Sequence, residues 1–427
     1  MAVGIGILGA GTVGGTLVRR LIDEGAVVAD RTGLDLEVRR VAVRSLDKAR
    51  SFALPEGILT DAAGDLIADP DIDLIVEVMG GTDPAGDLVL AALRAGKPVV
   101  TANKELIAAR GPELIAAATE AGVPLLFEAA VGGGIPIIRP LSETLAGERI
   151  TRVLGIVNGT TNFILTSMTE AGRDYAEALA EAQDLGYAEA DPTADVSGAD
   201  AAAKATILAG LAFGVWVGPS RVHTEGISGI ATADLEFAAE LGYTVKLLAV
   251  AERIGGGVSA RVHPAMVPFA HPLASIRGAT NAIFIEGPSV GELLFAGPGA
   301  GGEPTATAVL GDVIDAAREL LSGSQVAPRI RVAPGDVVDF AEVATKWYVR
   351  LEVADRPGVL ARIAAAFGTA GVSIKSVRQE GRGESATLLL VTHDAPEAHQ
   401  RAAVGALRHL SVVREVAATI RVQSEER

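Results

Sequence analysis

The chain has 427 residues, and its 37 Lys and Arg against 53 Asp and Glu leave a formal charge of -16. The length suits about three domains of ordinary size, and the acidic balance argues against a nucleic-acid or anionic-membrane partner. The absence of cysteine excludes disulfides, thiolate zinc sites, iron–sulfur clusters and cysteine nucleophiles.

The first 130 residues alternate β-rich runs with Ala- and Leu-rich helical patterns. Val3–Leu8 reads as a strand, Thr12–Glu24 as a helix and Leu36–Val43 as a second strand. Leu74–Val78 is an apolar run interrupted only at Glu77, as suits a parallel strand covered on both faces. A helix over Asp87–Ala95, a strand Pro98–Thr101, a helix Pro112–Ala121 and a strand Pro124–Phe127 follow. This alternation predicts an α/β fold with a doubly wound sheet. From Val131 the rhythm changes to long loops, helices over Tyr175–Leu185 and Ala199–Ala212, and a hairpin. The hairpin pairs Lys246–Arg253 with Val258–Val262 across Gly255-Gly256-Gly257, so the middle of the chain reads as α+β. A helix over Thr305–Leu321 is expected to pack back on the first domain, and the last 80 or so residues read strand, helix, strand, strand, helix, strand.

The expected domains are therefore 1–130 (completed by 303–325), 131–302, a linker 326–344 and a final module 345–423. The strongly apolar stretch Ala205–Val217 has 13 residues, short of the ~20 that cross a bilayer as a helix. It reads as a buried helix. The first residues, Met1-Ala2-Val3-Gly4, lack a basic targeting region. No membrane partner and a cytoplasmic location are expected.

Three places carry chemistry. Gly9-Ala10-Gly11-Thr12-Val13-Gly14 follows a strand and opens a helix. There Gly9 makes the turn, Gly11 lets a pyrophosphate approach the backbone and Gly14 lets helix and sheet close up, the dinucleotide-binding arrangement of a Rossmann-type domain. The second strand ends at Val43 and is followed by Arg44, and the nearest acids, Asp35 and Glu37, lie at its other end. A guanidinium in that place suits a 2′-phosphate, so NADP is expected in preference to NAD. Asn103-Lys104 follows a strand at the edge that faces the ligand crevice; Lys104 either reaches that crevice or is a solvated helix start. Asp200 and Lys204 are four apart at the start of a helix that runs into the apolar stretch, which makes them either an acid/base site anchored in a core or an ordinary i,i+4 pair.

At these last residues the chain resembles a known family. Ala182-Gln183-Asp184-Leu185-Gly186, Asp191-Pro192, Asp195-Val196-Ser197-Gly198-Ala199-Asp200 and Lys204 resemble the signature of the homoserine dehydrogenases. The likeness extends to Thr101-Ala102-Asn103-Lys104, to Glu128–Pro136, to Asn158-Gly159-Thr160-Thr161-Asn162 and to Gly297–Gly302. It implies reversible NAD(P)H-dependent reduction of L-aspartate 4-semialdehyde to L-homoserine, in threonine and methionine biosynthesis. Lys204 would be the proton donor and Lys104 a second lysine of the reaction centre. Gly186, Glu189 and Asp200 would hold the substrate, and Gly302 would lie near the cofactor. Glu128 with Val131, Gly133 and Ile135 would form a sodium site.

Asp355-Arg356-Pro357-Gly358, with its flanking strand and helix, resembles an ACT domain, whose topology is ferredoxin-like. That implies threonine as a feedback effector, with a purely structural dimerisation module as the alternative. A homodimer or homotetramer is expected.

Overall fold

In a computed structural model of the chain, the structure describes residues 2–47, 54–323, 330–382 and 385–423. Residues 324–329, where the expected linker begins, lie outside them. The chain divides into two compact units, one of residues 1–153, 206–219 and 281–334 and the other of 154–205, 220–280 and 335–427. This grouping cuts across the segment 131–302, whose parts are shared between both units.

The first unit is built on a parallel sheet of six strands. Their spatial order is Leu59–Thr60, Leu36–Ala42, Val3–Leu8, Leu74–Glu77, Val99–Thr101, Leu125–Leu126. The order reverses between Val3–Leu8 and Leu74–Glu77, and at such a switch point ligands bind beyond the C-terminal ends of the strands. Every residue of both strands at the switch point is buried, which explains why Glu77 is their only polar side chain. The late helix Gly302–Ser322 joins this core. Its Val309, Leu310, Val313, Ala316 and Ala317 share one apolar cluster with Leu17, Val18 and Leu21 of the helix Thr12–Asp23, and Arg19 pairs with Glu303 at its start.

Two differences from the sequence expectation have physical causes. A helix Gly25–Thr32 follows the first one but buries no residue, so it leaves no apolar period to detect. The helix expected to begin at Pro112 instead runs from Lys104 to Ala121 with the proline inside it. Proline lacks the N–H that would bond the carbonyl four residues back, here Ala108. Trp216 Nε1 donates to that carbonyl at 3.0 Å, so the helix continues through a residue that ordinarily starts one.

In the second unit the hairpin Tyr243–Ile254 and Gly257–Pro268 is longer than the alternation alone suggests, and it pairs in register from Ile254 opposite Gly257 to Tyr243 opposite Pro268. His223–Thr224 runs parallel to its second strand. The last strand, Val413–Val422, also meets that strand, with Ala265 opposite Arg421. Val413–Val422 then continues into a sheet with Ala344–Val353, Ser385–Thr392 and Ile374–Arg382. With the helices Val359–Thr369 and Glu397–Arg408, these four strands form the expected strand–helix–strand–strand–helix–strand module around Trp347, Leu351, Ile363 and Phe367. The helix Ala199–Phe213 carries Asp200 and Lys204 near its start and is otherwise mostly apolar and buried along most of its length, as a helix running through a core must be. Among the described residues, no helix is long and apolar enough to cross a membrane.

Candidate active site

In the first unit, a cleft of about 1030 Å³ opens at the switch point, lined by Gly9, Ala10, Gly11, Thr12, Arg44, Asp61 and Met79 among others. Gly9 has φ +109°, and a Cβ there would lie 2.7 Å from the Val78 carbonyl oxygen. At Gly14 a Cβ would lie 2.2 Å from the Gly9 oxygen, whereas at Gly11 it would meet nothing within 4 Å. Two glycines thus close the turn and the third leaves its face open to a ligand. Val13 turns inward and packs on the apolar cluster. Gly11 caps the helix without a side-chain acceptor and the first turn carries no acid, so the positive end of the helix is available to an anion. Gly302 borders the same turn, since a Cβ on it would approach Thr16 Oγ1 and Thr12 Cγ2.

Arg44 reaches the cleft as expected, but so does an acid. Asp61 follows the short strand Leu59–Thr60, which lies beside Leu36–Ala42 with Thr60 opposite Ala42. An inspection confined to the second strand misses it, because the acid arrives from the neighbouring one.

Beyond the switch point, the C-terminal ends of Leu74–Glu77 and Val99–Thr101 carry a buried polar knot. Glu77 is fully buried. Its Oε2 accepts from Thr101 Oγ1 at 2.6 Å, and its Oε1 accepts from Met79 N at 2.7 Å and from Asn103 Nδ2 at 3.4 Å. Asn103 also donates to Gly81 O at 2.6 Å and caps the helix by accepting from Leu106 N at 3.0 Å. Lys104 is the first residue of that helix and is half-buried. Glu77 therefore fixes both the Met79–Gly81 loop and the turn that presents Lys104. Its own sequence context, the end of an apolar strand, gives no sign of this.

Glu128, in the same unit, is buried on a 3-10 turn. Its carboxylate accepts from the backbone N–H groups of Ile137 (2.5 Å), Ile138 (2.8 Å) and Arg139 (2.9 Å). The side chain is thus spent on the chain's own amides. The loop's backbone bonds run from Ala130 N to Phe127 O, Gly134 N to Pro298 O and Ile135 N to Gly132 O. Glu128, Val131, Gly133 and Ile135 are all buried. Asp312 accepts from Glu128 N at 2.8 Å, and burial, with the nearby Glu128 charge, pushes it up to about 7. Among the described residues, no group of three or more His, Asp or Glu is arranged to hold a metal.

In the second unit, Lys204 is buried at 9% exposure. Its Nζ donates to Asp200 Oδ2 and to the Val157 carbonyl, each at 2.7 Å. Asn158 organises the acids. Its Oδ1 caps the helix Gly159–Ala171 through Thr161 N at 2.9 Å, and its Nδ2 donates to Asp195 Oδ1 at 2.6 Å and Asp200 Oδ2 at 2.8 Å. Burial, reinforced by the Asp200 charge, raises the Asp195 carboxyl above the usual range. Two acids thus stand against one lysine, and an ammonium group would complete the balance. Thr160 Oγ1 donates to Tyr187 O at 2.5 Å and lies 3.3 Å from Asp195 Oδ2, which moors the Gly186–Glu189 loop beside the cluster. Gly186 has φ +76° at the end of the preceding helix. Glu189 is exposed, and its carbonyl rather than its carboxylate is held, by Gln183 Nε2 at 3.1 Å. Of the candidates in this unit, Lys204 and Asp200 are in direct contact and Glu189 stays at the rim.

Comparison with known proteins gives three family models in chain order. "Homoserine dehydrogenase, NAD binding domain" matches residues 9–128, "Homoserine dehydrogenase" matches 136–314 and "ACT domain" matches 347–411. The homoserine dehydrogenase of Corynebacterium glutamicum is 48% identical, over 99% of this chain and 96% of that one. A crystal structure of a homoserine dehydrogenase from Thiobacillus denitrificans covers 99% of both chains at 42% identity, with a TM-score of 0.93. A hyperthermophilic archaeal homoserine dehydrogenase, solved in complex with NADPH, covers 77% of this chain and all of its own, at 30% identity and a TM-score of 0.61.

Proposed function

The chain belongs to the homoserine dehydrogenase family, and from that premise we propose that it reduces L-aspartate 4-semialdehyde reversibly to L-homoserine with NADPH in preference to NADH. The observation that carries the reading is the buried Asp195–Asn158–Asp200–Lys204 cluster. Hydride addition to an aldehyde builds an alkoxide, which needs a nearby cation and a proton. The bound nicotinamide supplies the hydride. Lys204 engages Asp200 and Val157, and an ammonium has three N–H donors, so one is left for the substrate oxygen. Asp200, with Glu189 and Gly186 at the rim, receives the substrate's amino end. Lys104 adds a second positive charge to the reaction.

Cofactor binding is assigned to Gly9–Gly14, Arg44, Lys104 and Gly302. Glu128 with the backbone carbonyls of Val131, Gly133 and Ile135 suits a hard monovalent cation such as sodium, held without a carboxylate cluster. The cation would brace the loop that leads to Arg139. We read residues 1–130 with 303–325 as the cofactor domain, 131–302 as the catalytic and dimerising segment, 326–344 as a linker and 345–423 as a threonine-responsive module. A homodimer or homotetramer working in the cytoplasm, in threonine and methionine biosynthesis, fits this organisation.

One assay tests the reading. Purified protein is given aspartate semialdehyde with NADPH or NADH, with and without threonine. The expected result is faster NADPH turnover that threonine depresses. Lys204→Ala is expected to lose ~10²–10⁴-fold in kcat while retaining NADPH affinity, and near-normal turnover in that variant removes the assignment.

A further inference from the structure

We propose that Arg421 and Glu225 are positioning residues for this reaction, setting the placement of the Asp195–Lys204 segment from within the C-terminal module. The proposal rests on the assignment of Asp200 and Lys204 to the substrate. Neither Arg421 nor Glu225 belongs to that set, and they stand 196 positions apart in the chain.

Arg421 lies on Val413–Val422, opposite Trp347 within the ACT sheet and opposite Ala265 of the long hairpin. It is 4% exposed. Its guanidinium is fixed from behind: Nη2 donates to Glu397 Oε1 at 2.5 Å, and Cζ stands 4.9 Å from the Trp347 ring centre. Glu397 is itself fully buried and accepts from Thr345 Oγ1 at 2.7 Å and Trp347 Nε1 at 3.0 Å. The outer fork is presented to Glu225. Nη2 donates to Glu225 Oε1 at 2.6 Å and Nη1 donates to Oε2, the two-pronged geometry that fixes orientation as well as distance. His223 Nε2 adds a contact to Oε1 at 2.7 Å. Burial opposes the Glu225 charge, yet the bonds from His223 and Arg421 hold its carboxyl well below the usual range. The pair therefore stays charged at neutral pH.

From Glu225 the backbone has no slack on its way to the cluster. Glu225 N donates to Val262 O at 2.8 Å, and Ile227 N donates to Val196 O at 2.9 Å. Between them, a Cβ on Gly226 would lie 2.0 Å from Val196 O and 2.7 Å from Ser197 Cα. The strap 225–227 is thus pressed onto the turn that carries Asp195 on one side and leads to Asp200 and Lys204 on the other. A displacement of Val413–Val422 that moves the Arg421 fork is passed through Glu225 to that turn. An effector held by the ACT module acts on substrate binding by this route.

The test is steady-state kinetics of the full-length protein with Glu225→Gln. Glu397, which also accepts from Arg401 Nε at 3.2 Å, still faces Arg421 in this variant, so the buried guanidinium keeps a carboxylate partner while the fork loses one arm. The expected result is a KM for aspartate semialdehyde raised ~3–30-fold, with the KM for NADPH and the melting temperature near wild type. Threonine should still bind, measured by calorimetry, but should no longer shift the substrate KM. Wild-type substrate KM together with a wild-type threonine response overturns the proposal. Should Glu225→Gln unfold, His223→Ala loosens Glu225 with the ion pair intact and is expected to move the substrate KM in the same direction; an unchanged KM there overturns it equally. If threonine neither binds nor inhibits the wild type, the feedback reading falls and the KM comparison still decides the positioning role. If Lys204→Ala proves active, the site assignment falls, whatever Glu225 does.

Discussion

The cofactor cleft and the lysine–carboxylate cluster solve opposite problems with opposite materials. The cleft is made of backbone: an open face at Gly11, a helix start without an acid, and exposed Arg44 and Asp61 at its edge. The cluster is made of buried charges, each satisfied by a neighbour that is itself satisfied, from Val157 and Asn158 through Asp200 to Lys204. A backbone site forgives a lost side chain, because solvent takes over the bonds. A buried network does not, because each deletion strands a partner in low dielectric. The two sites should therefore respond differently to single substitutions, in stability as much as in kinetics.

The largest contrast is expected at Asp200. Both partners of the Lys204 pair are about nine-tenths buried at the side chain, and breaking such a pair from one side costs about 3–5 kcal/mol. Asp200→Ala should lower unfolding free energy by an amount of that order and raise the KM for aspartate semialdehyde by about 100-fold, with NADPH affinity kept. Denaturant titration beside initial-rate kinetics reads both. A variant as stable as wild type would mean that the cluster is solvated in the way the cleft is.

A second buried cation sharpens the point without touching the reaction. Lys246 donates to Asn162 Oδ1 at 3.0 Å and to Ile276 O at 2.5 Å, and burial lowers its pKa to about 8. An unfolded lysine titrates near ~10.4. Between these values the unfolded chain holds a proton that the native chain has released, so stability rises with pH across that window. Below pH 8 both states are protonated and the burial penalty is constant. Between about pH 8 and 9.5 the gain should be about 2 kcal/mol, and Lys246→Met should flatten it. Equilibrium unfolding at the two pH values decides; an equal slope in wild type and variant would assign it to other groups.

Much of this was legible in the sequence, and what was not shares one property. The strand–helix alternation, the glycine turn and the Asp200/Lys204 spacing are local patterns, and local patterns survive in a string of letters. Glu77 reads as the end of an apolar strand until Thr101 and Asn103 fold onto it. Pro112 reads as a helix start until Trp216, more than a hundred positions away, replaces its missing N–H. Asn158 enters only as part of a family likeness until the fold shows it capping a helix at one end and holding two acids at the other. Glu225 and Arg421 belong to no local pattern at all. Each is a polar group whose partner is distant in sequence, and the burial that makes it matter is created by folding.

The smallest effect in the comparison falls on Arg44. It is exposed, so its removal should leave stability unchanged, which separates it from every charge in the buried cluster. A guanidinium that reads a 2′-phosphate contributes a charge-assisted contact that NADH does not use. Arg44→Ala should therefore raise the KM for NADPH by about 10-fold, equivalent to ~1.4 kcal/mol, and leave the KM for NADH where it was. Asp61, at the same edge, makes the outcome more telling. With the guanidinium gone its carboxylate repels a 2′-phosphate but accepts from ribose hydroxyls, so the preference should narrow or reverse rather than merely weaken. Parallel initial rates with the two cofactors measure it, and an equal loss for both would make Arg44 a general electrostatic aid instead of a discriminator.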